Sequence, residues 1–573
     1  MLRVLSWLSL PALLLPLGLA SDCRPSPPAP ASSPPRAVVE AARAITPELL
    51  RDRITRISAD EFQGRAPSTP GDRGARAYLV DQLIAIGLEP GRGPEGWEQS
   101  VDLVSVKTTM PEAWTFERGD KRLSLAWSTQ YVAGSGEQTE RGAVDHADVV
   151  FVGYGIEAPE YGWDDFKGRD VEGKVLLMLN NDPDWDQALF AGTTRLYYGR
   201  WTYKFESAAR HGAAGAILVH TTPSAGYPFQ VVRTSWGGVR FELPASGGPT
   251  LAVQGWVTED AARALVALAG EDLDGLTASA RSKSFVPVPL GITTSIRFEN
   301  HVEHARSANV FGILRGGDPR LENQYVILSA HHDHLGVGKP DGRGDAIYNG
   351  ALDNAAGDAQ VLAIAKALKV LPTPPRRSIL VLFPAAEEQG LLGSRYFAEH
   401  PPAPAGKLIA VLNYDGGNKW GRTRDVSQIG RGKSSVDEVV ARVAAWQGRA
   451  LKGDEFPDRG TFYRSDQFSF AKIGVPALYM KPGTDVIGRP EGWGREQILS
   501  YEAHDYHQPS DEIGPTWNFD GMVEDAQFGF FAALEIANAE QSPTWVQGDE
   551  FEAARKASLA ALSTSASAAA PRP

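Results

Sequence analysis

Two stretches near the start of the chain have apolar residues at helical spacing. The repeating positions form two stripes: Leu49, Leu50, Ile54 and Ile57 in the first, and Ala77, Leu79, Leu83 and Ile84 in the second. Gly87 follows the second stripe, and glycine commonly ends a helix. The pattern predicts two helices that pack through these apolar faces.

Beyond Leu123 the pattern changes to short apolar runs separated by Gly, Pro and Asp. These runs are 149–152, 175–179, 216–219 and 251–253. Their length and the turn residues between them are typical of strands. From Asn309 onward apolar strands alternate with helical stretches, which indicates an α/β layered domain. We therefore expect a β-rich domain inserted at 130–295, between an N-terminal part at 41–129 and the main α/β domain at 296–548.

The N-terminus has the organisation of a secretory signal peptide. Arg3 is followed by an apolar run from Leu8 to Leu19, and Gly18-Leu19-Ala20 provides a small-x-small cleavage site. The run is shorter than the roughly 20 residues needed to cross a bilayer. We predict a signal peptide at 1–20 and an exported protein, periplasmic or secreted.

The segments at both ends are rich in small residues. A Pro/Ala/Ser-rich linker is expected at 21–40 and a frayed Ala/Ser-rich tail at 549–573. Cys23 follows the predicted cleavage site, so a lipoprotein anchored through Cys23 is an alternative. Asp22 fits that alternative poorly, because a small residue normally precedes a lipidated cysteine. Contact with a membrane is expected only if Cys23 is lipidated.

Composition narrows the classes of protein. The 573 residues contain 57 Lys and Arg against 70 Asp and Glu, a net charge of −13, and 42% are hydrophobic. These proportions are typical of a globular protein and exclude wholesale disorder. Because a single core stops growing at roughly 250 to 300 residues, more than one domain is expected. The acidic balance disfavours a nucleic-acid partner, and the single cysteine excludes a disulfide framework.

Three strands of the predicted α/β domain are each followed by residues that can bind a metal. The run 325–330 leads into His331-His332-Asp333-His334, 378–383 leads to Glu387-Glu388, and 408–412 leads to Asn413-Tyr414-Asp415. In open α/β sheets ligands bind beyond the carboxyl ends of the strands. Three such strands would direct His, Glu and Asp side chains into one crevice.

Two further segments add residues of the same kind. Asp353 lies in a glycine-flanked loop before a helix, and His507 lies in a polar, turn-rich stretch. Each alone has an ordinary explanation, such as a helix cap for Asp353. Together they favour a metal, because Glu387 and Glu388 in a crevice need a counter-charge and no basic cluster stands beside them. Imidazole and carboxylate suit zinc, and iron or manganese is compatible by ligand type.

These segments, in this order, resemble the co-catalytic di-zinc metallopeptidases of family twenty-eight, typified by secreted bacterial aminopeptidases. The resemblance covers about 45–125 and 300–545 and depends on 330–336, 349–357, 387–388, 413–415 and 506–511. It implies a three-layer α/β/α sandwich with a mixed sheet. The insert, through 168–175 and 208–217, resembles the protease-associated domain that many members carry.

The resemblance also implies two Zn²⁺ ions per chain. His331 and Asp415 would bind one zinc, Glu388 and His507 would bind the other, and Asp353 would bridge the two. The net charge of such a centre would make a bridging water easy to deprotonate.

Further roles follow from the same resemblance. Glu387 would be the general base, and Asp333 would accept the imidazole N–H of His331. Tyr506 resembles the tyrosine that polarises the scissile carbonyl in some members.

Other residues near these segments have less defined roles. His332 and His334 surround the proposed ligand His331, and we interpret them as supporting or surface residues. Arg464 and Asp466 resemble a family segment that lines the cleft, where either would contact the substrate termini.

The expected function is that of an exported zinc exopeptidase, an aminopeptidase whose partners are peptide substrates. A glutaminyl cyclase-like acyltransferase and a di-zinc carboxypeptidase are alternatives on the same scaffold. The cyclases use one zinc without the first histidine, whereas His331 and Asp415 are both present here. A non-catalytic receptor-like protein is disfavoured because the ligand set is intact.

Overall fold

The computed structural model describes residues 33–92, 96–187 and 189–569. The predicted signal peptide and Cys23, with the lipidation alternative, lie outside these residues. Within them, no helix combines the length and apolar character needed to cross a bilayer.

Helices occur along the whole described chain. In chain order they are α1 (Arg36–Ala42), α2 (Pro47–Ile57), α3 (Pro70–Ile86), α4 (Trp201–Arg210), α5 (Thr222–Ala225), α6 (Phe229–Trp236), α7 (Glu259–Leu268), α8 (Leu273–Ala280), α9 (Ala356–Lys369), α10 (Leu392–Glu399), α11 (Val436–Gln447), α12 (Gln467–Lys472), α13 (Trp493–His504), α14 (Asp520–Asn538) and α15 (Glu552–Ala569). A short π-helical turn, Ala351–Ala355, directly precedes α9.

The strands are β1 (Glu89–Pro90), β2 (Glu98–Thr109), β3 (Ala113–Arg118), β4 (Lys121–Ala126), β5 (Tyr131–Ser135), β6 (Arg141–Phe151), β7 (Glu157–Ala158), β8 (Trp163–Asp164), β9 (Val175–Leu179), β10 (Gly215–His220), β11 (Arg240–Glu242), β12 (Val253–Thr258), β13 (Val288–Leu314), β14 (Tyr325–Ser329), β15 (Gly336–Val337), β16 (Ile347–Tyr348), β17 (Ser378–Phe383), β18 (Leu408–Asn413), β19 (Asp425–Ile429), β20 (Ala450–Lys452) and β21 (Ala477–Pro482). Apart from the short pairs β7–β8 and β15–β16, they join in one continuous hydrogen-bonded sheet.

Parallel strands form the centre of the α/β domain. β14 lies between β17 and β18, with Val326 opposite Ile379 and Ala410. β18 continues in parallel to β21, whereas β13 runs antiparallel to β17. The sheet is therefore mixed, as the resemblance implied.

Both faces of this sheet are covered by helices. Successive side chains of a strand point to opposite faces. In β14, Val326 and Leu328 pack in a hydrophobic core with α2, α9, α11 and α14, whereas Ile327 packs in another core with α10 and α12. The central strands are nearly continuous apolar runs because both faces are buried. The predicted three-layer sandwich is confirmed.

The two helices predicted near the N-terminus are present as α2 and α3. The hydroxyl oxygens of Thr46 and Thr69 accept hydrogen bonds from the backbone N–H groups of Leu49 and Asp72, each at 3.2 Å. Proline begins each helix, where its missing N–H leaves no hydrogen bond unmade. Gly87 ends α3 with φ 84°, a left-handed conformation that glycine adopts without strain.

The inserted segment forms hydrophobic cores of its own. One extends from Met110 to Phe298 and the other from Val132 to Trp256. The ring centroids of Trp114, on β3, and Tyr131 lie 5.6 Å apart. Trp114 also donates a hydrogen bond from Nε1 to Thr294 Oγ1 at 2.8 Å. β3 and β4 therefore pack with the insert, and its core begins earlier than the predicted boundary at residue 130.

One long strand connects the insert to the α/β sheet. β13 pairs antiparallel with β6 and β3 in its first half, with β2 from Glu299 to Val310, and with β17 from Val310 to Leu314. The same strand therefore belongs to both parts.

Both ends of the described chain contain more helix than the pattern predicted. α1 begins at Arg36, inside the predicted linker, and α15 occupies much of the predicted tail. Arg555 in α15 is buried and donates from Nη1 to the carbonyl of Leu408 at 2.9 Å. Alanine favours helix, and this contact fixes α15 in a way that composition does not reveal.

Gly529 allows α14 to pack directly on Tyr414. A Cβ atom at this position would lie 1.5 Å from the Tyr414 hydroxyl oxygen. We predict that Gly529→Ala lowers the free energy of unfolding by about 1–3 kcal/mol, because overpacking outweighs the roughly 1 kcal/mol that alanine gains in a helix. Thermal unfolding measures the change.

Gly275→Ala in α8 is the matched control. The nearest atom to a Cβ there is Asp272 Oδ2 at 3.5 Å, an ordinary contact. This variant should keep or slightly raise the melting temperature. Equal melting temperatures for the two variants would contradict the packing of α14 on Tyr414.

Candidate metal centre

The carboxyl ends of β14, β17 and β18 lie side by side, and each leads to potential metal ligands. His331 follows β14, Glu387 and Glu388 follow β17, and Asp415 follows β18. The three strands are parallel neighbours, so these ends meet at one edge of the sheet. The structure brings these side chains together there.

Two loops complete the cluster. Asp353 lies in the π-helical turn before α9, and the Asp353–Asn354 peptide bond is cis. His507 follows α13 with a left-handed backbone, φ 57°, a conformation that histidine adopts more readily than most residues. Both side chains reach the edge of the sheet where His331 lies.

Asp353 lies between two histidines. Its Oδ1 is 3.4 Å from His331 Nε2, and its Oδ2 is 3.2 Å from His507 Nε2. His507 Nε2 is also 3.1 Å from a second carboxylate oxygen, Glu388 Oε2. The cluster therefore has two halves that share Asp353.

Each half has donor atoms close enough for one cation. On one side, ligand atoms of His331, Glu387 and Asp415 lie within 4.8 Å of one another. On the other side the same holds for a group of three that includes a histidine not predicted as a ligand: His334, Asp353 and Glu388. Two metal ions could thus be accommodated by residues of this edge.

His334 and His332 are both wholly buried, so neither is a surface residue. His334 Nδ1 lies 2.6 Å from Glu388 Oε1. His332 Nε2 lies 3.1 Å from Asp72 Oδ1, away from the candidate ligands. His334 therefore orients Glu388 directly, whereas His332 joins its loop to α3.

The charges of the cluster shift its proton affinities. Burial opposes charge on Glu388, yet His507 and His334 hold its pKa at about 2. Burial likewise opposes charge on Asp353, but His331 and His507 lower its pKa well below the usual value. Asp353 and Glu388 are thus stabilised as anions by the adjacent histidines.

The donor set fits divalent cations. Burial raises the pKa of Glu387 well above its usual value, with Glu388 and Asp415 adding to the shift and His331 opposing it. Lys481 donates from Nζ to the carbonyl of Asp415 and lies 3.8 Å from its Oδ1, which supplies one positive charge at one side only. Buried carboxylates in excess of local cations, together with imidazole nitrogens, are the ligands that zinc prefers.

Asp333 connects the His331 loop to the glutamates. Its Oδ1 accepts a hydrogen bond from the backbone N–H of Glu387 at 2.9 Å, and its Oδ2 accepts one from Glu388 at 3.4 Å. The Asp333 carboxylate is 3.9 Å from His331 Nδ1, and its carbonyl oxygen is nearer, at 3.3 Å. The acceptor facing the His331 ring is therefore the backbone of Asp333 more than its side chain.

The remaining predicted residues lie at the rim or inside the fold. Tyr506 is 37% exposed and stacks on His507, with 3.8 Å between ring centroids. Arg464 is exposed, whereas Asp466 is wholly buried. Of the two predicted substrate contacts, only Arg464 is accessible.

Arg65 was not among the predicted residues, yet it holds two ligand loops. Its buried guanidinium donates to the carbonyl oxygens of His332 at 2.8 Å, Asn349 at 2.6 Å and Gly350 at 3.1 Å. These carbonyls belong to the loops that carry candidate ligands. The sequence pattern contained no signal for Arg65, because its partners in the two ligand loops are 267 to 285 positions away.

Asp511 supports the loop of Asp353. Its carboxylate accepts hydrogen bonds from the backbone N–H groups of Leu352 at 3.1 Å and Asp353 at 3.0 Å. The hydroxyl of Tyr501 also donates to it, at 3.2 Å. The signal for Asp511 was present in the sequence, since it ends the segment that contains His507.

The fold and the site define an α/β domain that can hold metal ions between histidines and carboxylates. Residues 309–528 match the description "Peptidase family M28". The matched segment contains all the candidate ligands: His331, His334, Asp353, Glu387, Glu388, Asp415 and His507.

Several curated relatives are named as aminopeptidases. Probable leucine aminopeptidase 2 of Aspergillus oryzae is 26% identical over 381 residues, 64% of this chain and 64% of the relative. Aminopeptidase NAALADL1 of Rattus norvegicus is 29% identical over 284 residues, 41% of this chain and 34% of the relative. The chain therefore spans less than two thirds of the length of these relatives.

Solved structures show more distant similarity. The aminopeptidase from Aneurinibacillus sp. strain AM-1 is 17% identical, with a TM-score of 0.49 over 87% of this chain and 96% of that chain. BSAP, a zinc aminopeptidase from Bacillus subtilis, is 16% identical, with a TM-score of 0.40 over 88% of this chain and 98% of that chain. The activities in these names belong to those proteins.

We predict that Arg65→Gln weakens metal binding at least about tenfold. Glutamine cannot reach all three carbonyls, and each buried acceptor left unpaired costs about 1–3 kcal/mol, whereas a tenfold loss needs only about 1.4 kcal/mol. Calorimetric titration of chelator-treated protein with Zn²⁺ measures the affinity.

Arg73→Gln is the control for this variant. Arg73 is exposed on α3, and its side chain makes no hydrogen bond to the described residues. Its metal affinity should equal that of the unchanged protein. Unaltered Zn²⁺ affinity in Arg65→Gln would contradict the role of Arg65 in holding the loops.

Proposed function

We propose that this protein is an exported zinc-dependent aminopeptidase that hydrolyses N-terminal residues from peptides. The match of residues 309–528 to peptidase family M28 and the histidine and carboxylate donors at the edge of the sheet support this function. The predicted signal peptide supports export, and the resemblance of the insert supports a protease-associated domain.

The position of Asp353 carries the proposal. One of its oxygens faces His331 at 3.4 Å and the other faces His507 at 3.2 Å. A carboxylate with a histidine at each oxygen is suited to bridge two cations. We assign Asp353 as the bridging ligand, His331 and Asp415 to one zinc, and Glu388 and His507 to the other.

The chain's own residues would hold the peptide and move its protons. When bound, a pair of zinc ions would lower the pKa of a coordinated water to roughly 7 and polarise the scissile carbonyl. His334 would keep Glu388 oriented and Asp333 would keep Glu387 oriented, since these pairs are in direct contact. Preorganised ligands of this kind need no rearrangement during the reaction.

Glu387 is assigned as the general base. Its Oε2 lies 3.9 Å from His331 Nε2, which puts a buried carboxylate beside the proposed ligands. Its backbone N–H is fixed by Asp333. From this position Glu387 would accept a proton from the attacking water and deliver it to the leaving amine.

Tyr506 is assigned to the scissile carbonyl. Its hydroxyl makes no hydrogen bond to the described residues, and its ring is held by stacking on His507. A free hydroxyl at the rim of the site would donate a hydrogen bond to the carbonyl oxygen as negative charge develops there.

A substrate panel tests this function against the alternatives. Purified protein is incubated with aminoacyl-nitroanilides, N-blocked peptides and glutaminyl peptides, with and without chelator. Cleavage of free-amine substrates that stops with chelator and returns with Zn²⁺ is the expected result. Release of C-terminal residues from N-blocked peptides would instead identify a carboxypeptidase, and ring closure of glutaminyl peptides would identify a cyclase.

We predict that Glu387→Gln keeps its metal but loses about 10²–10⁴-fold in kcat, the usual contribution of a general base. Metal content by mass spectrometry and turnover of leucine nitroanilide are measured together. Glu399→Gln, at an exposed position on α10, is the matched control and should retain full activity. Loss of metal from Glu387→Gln would show that Glu387 is a ligand.

We predict that His507→Ala reduces bound zinc from about two ions to about one per chain, because one half of the site loses its imidazole. The stoichiometry is measured by elemental analysis after dialysis against limiting Zn²⁺. An unchanged stoichiometry would mean that His334, rather than His507, completes that half.

A further inference from the structure

Lys419 extends from the loop of one candidate ligand to the loop of another. It lies four residues after Asp415, and its Nζ atom is 3.7 Å from Oδ2 of Asp505, two residues before His507. The Lys419 side chain is 15% exposed, so water and salt screen this ion pair less than one on the open surface. In the proposed assignment Asp415 and His507 bind different zinc ions, and Lys419 therefore connects the two halves of the centre.

Aromatic rings surround the Lys419 ammonium group. Its Nζ atom lies 4.6 Å from the ring centroid of Tyr501, 5.6 Å from that of Trp517 and 6.0 Å from that of Trp420. A lysine cation within about 6 Å of a ring centroid is attracted by the negative face of the ring. A lysine side chain is flexible on its own, but these rings and the Asp505 carboxylate together favour one position of its charged end.

The backbone that carries Lys419 is also fixed. Asn354 accepts a hydrogen bond at Oδ1 from the backbone N–H of Gly416 at 2.9 Å, and Gln360 donates from Nε2 to the carbonyl of Gly416 at 3.0 Å. The Lys419 carbonyl accepts a hydrogen bond from the backbone N–H of Asn518 at 3.0 Å. Because the loop is held at both residues, the Lys419 side chain extends from a defined starting point.

The segment that leads to His507 has little hydrophobic packing. Gly494 is the one buried residue of α13, which the structure describes in full, and the His507 side chain is 32% exposed. The backbone N–H groups of Asp505 and Tyr506 donate to the carbonyl of Tyr501 at 2.8 Å and 2.9 Å. The position of His507 therefore depends on polar contacts of the residues just before it, and the contact of Asp505 with Lys419 is one of these.

Tyr501 connects Lys419 to the loop of Asp353 as well. The ring of Tyr501 faces Lys419, and its hydroxyl donates to the carboxylate of Asp511 at 3.2 Å. That carboxylate in turn accepts a hydrogen bond from the backbone N–H of Asp353 at 3.0 Å. Lys419 thus contacts groups that hold two further ligand loops besides its own.

We propose that Lys419 is a positioning residue of the metal centre, which acts through Asp505 to hold His507 at its zinc ion. This inference rests on the proposed function and its two zinc ions. Without the charge of Lys419 the loop of His507 gains conformational freedom, and zinc binding then has to order that loop at a cost in free energy. The ion in the half with His507 binds more weakly, whereas the ion in the other half keeps its affinity. Tyr506, in the same loop, is displaced together with His507.

Zinc titration measures this effect without depending on catalysis. Chelator-treated full-length protein is titrated calorimetrically with Zn²⁺ alone. Lys419→Met keeps the length of the side chain and removes its charge, so it should weaken one of the two binding steps at least about fivefold and change the other by less than about twofold. A fivefold loss corresponds to about 1 kcal/mol, the size of a cation–π contact. In His507→Ala, Lys419→Met should leave the affinity for the remaining ion unchanged.

Further variants test whether the contact with Asp505 carries the effect. Lys419→Arg keeps the charge and can stack on the same rings, so it should restore the affinity to within about twofold. Asp505→Asn retains an acceptor for the hydroxyl of Ser510 and should weaken the same step as Lys419→Met. Because the two residues act as one pair, the double variant should be no weaker than either single variant. Lys366→Met, at an exposed position of α9, is the matched control and should bind zinc like the unchanged protein.

Activity separates positioning from a general loss of stability. With leucine nitroanilide, the Zn²⁺ concentration for half-maximal activity should rise at least about fivefold in Lys419→Met. At saturating Zn²⁺ the remaining defect should lie in kcat, with KM changed by less than about twofold, because Tyr506 contacts the carbonyl oxygen as negative charge develops there. The melting temperatures of the chelator-treated variants are measured alongside.

The outcomes separate the role of Lys419 from the proposed function. Unchanged affinity in both steps for Lys419→Met would reject the positioning role, and so would equal weakening of both steps together with a lower melting temperature. Additive effects of Lys419→Met and Asp505→Asn would also reject it. If one step weakens as expected but the unchanged protein does not cleave leucine nitroanilide, the positioning role stands and the aminopeptidase function is rejected.

Discussion

The edge of the central sheet has to keep several buried carboxylates close together although they repel one another. Coulomb repulsion at short range is strong where water is excluded, so Asp353, Glu387, Glu388 and Asp415 converge only because other groups compensate. Histidines face both oxygens of Asp353. Asp333 and Asp511 use their own charge to bind backbone N–H groups of the neighbouring loops, which anchors the ligands without adding free anions toward the centre. The convergence of the four carboxylates therefore depends on these histidines and on the loops that Asp333 and Asp511 anchor.

Much of this arrangement could be predicted from the sequence because it follows from the strands. Apolar runs such as 325–329 are buried on both faces, and parallel neighbours must end at the same edge. Polar residues that come directly after such runs therefore converge, as His331 and Asp415 do. The two N-terminal helices were predictable because the spacing of their apolar residues is a local feature of the chain. Leu79 and Leu83 of the second stripe are buried as expected, whereas Ala77 and Ile84 are exposed.

The features that escaped prediction all depend on contacts between distant parts of the chain. Arg65 donates hydrogen bonds to loops more than 260 positions away, so no pattern in the neighbouring sequence indicates its role. His334 could not be distinguished from His332 by spacing, and only the fold turns one toward Glu388 and the other toward Asp72. The insert likewise begins its core before residue 130 because Trp114 finds its partner at Thr294, on the far end of that segment.

The length of β13 has a mechanical consequence. Val288–Leu314 is hydrogen-bonded to β6, β2 and β17 in turn, so it forms one continuous strand that both parts of the protein share. Rotating the insert as a rigid body would bend this strand and break its backbone hydrogen bonds to several neighbouring strands at once. Each of these hydrogen bonds contributes about 0.5–1.5 kcal/mol to stability. The continuous strand β13 therefore disfavours a wide separation of the insert from the α/β domain. Small molecules would reach and leave the edge of the sheet through motions of loops and side chains.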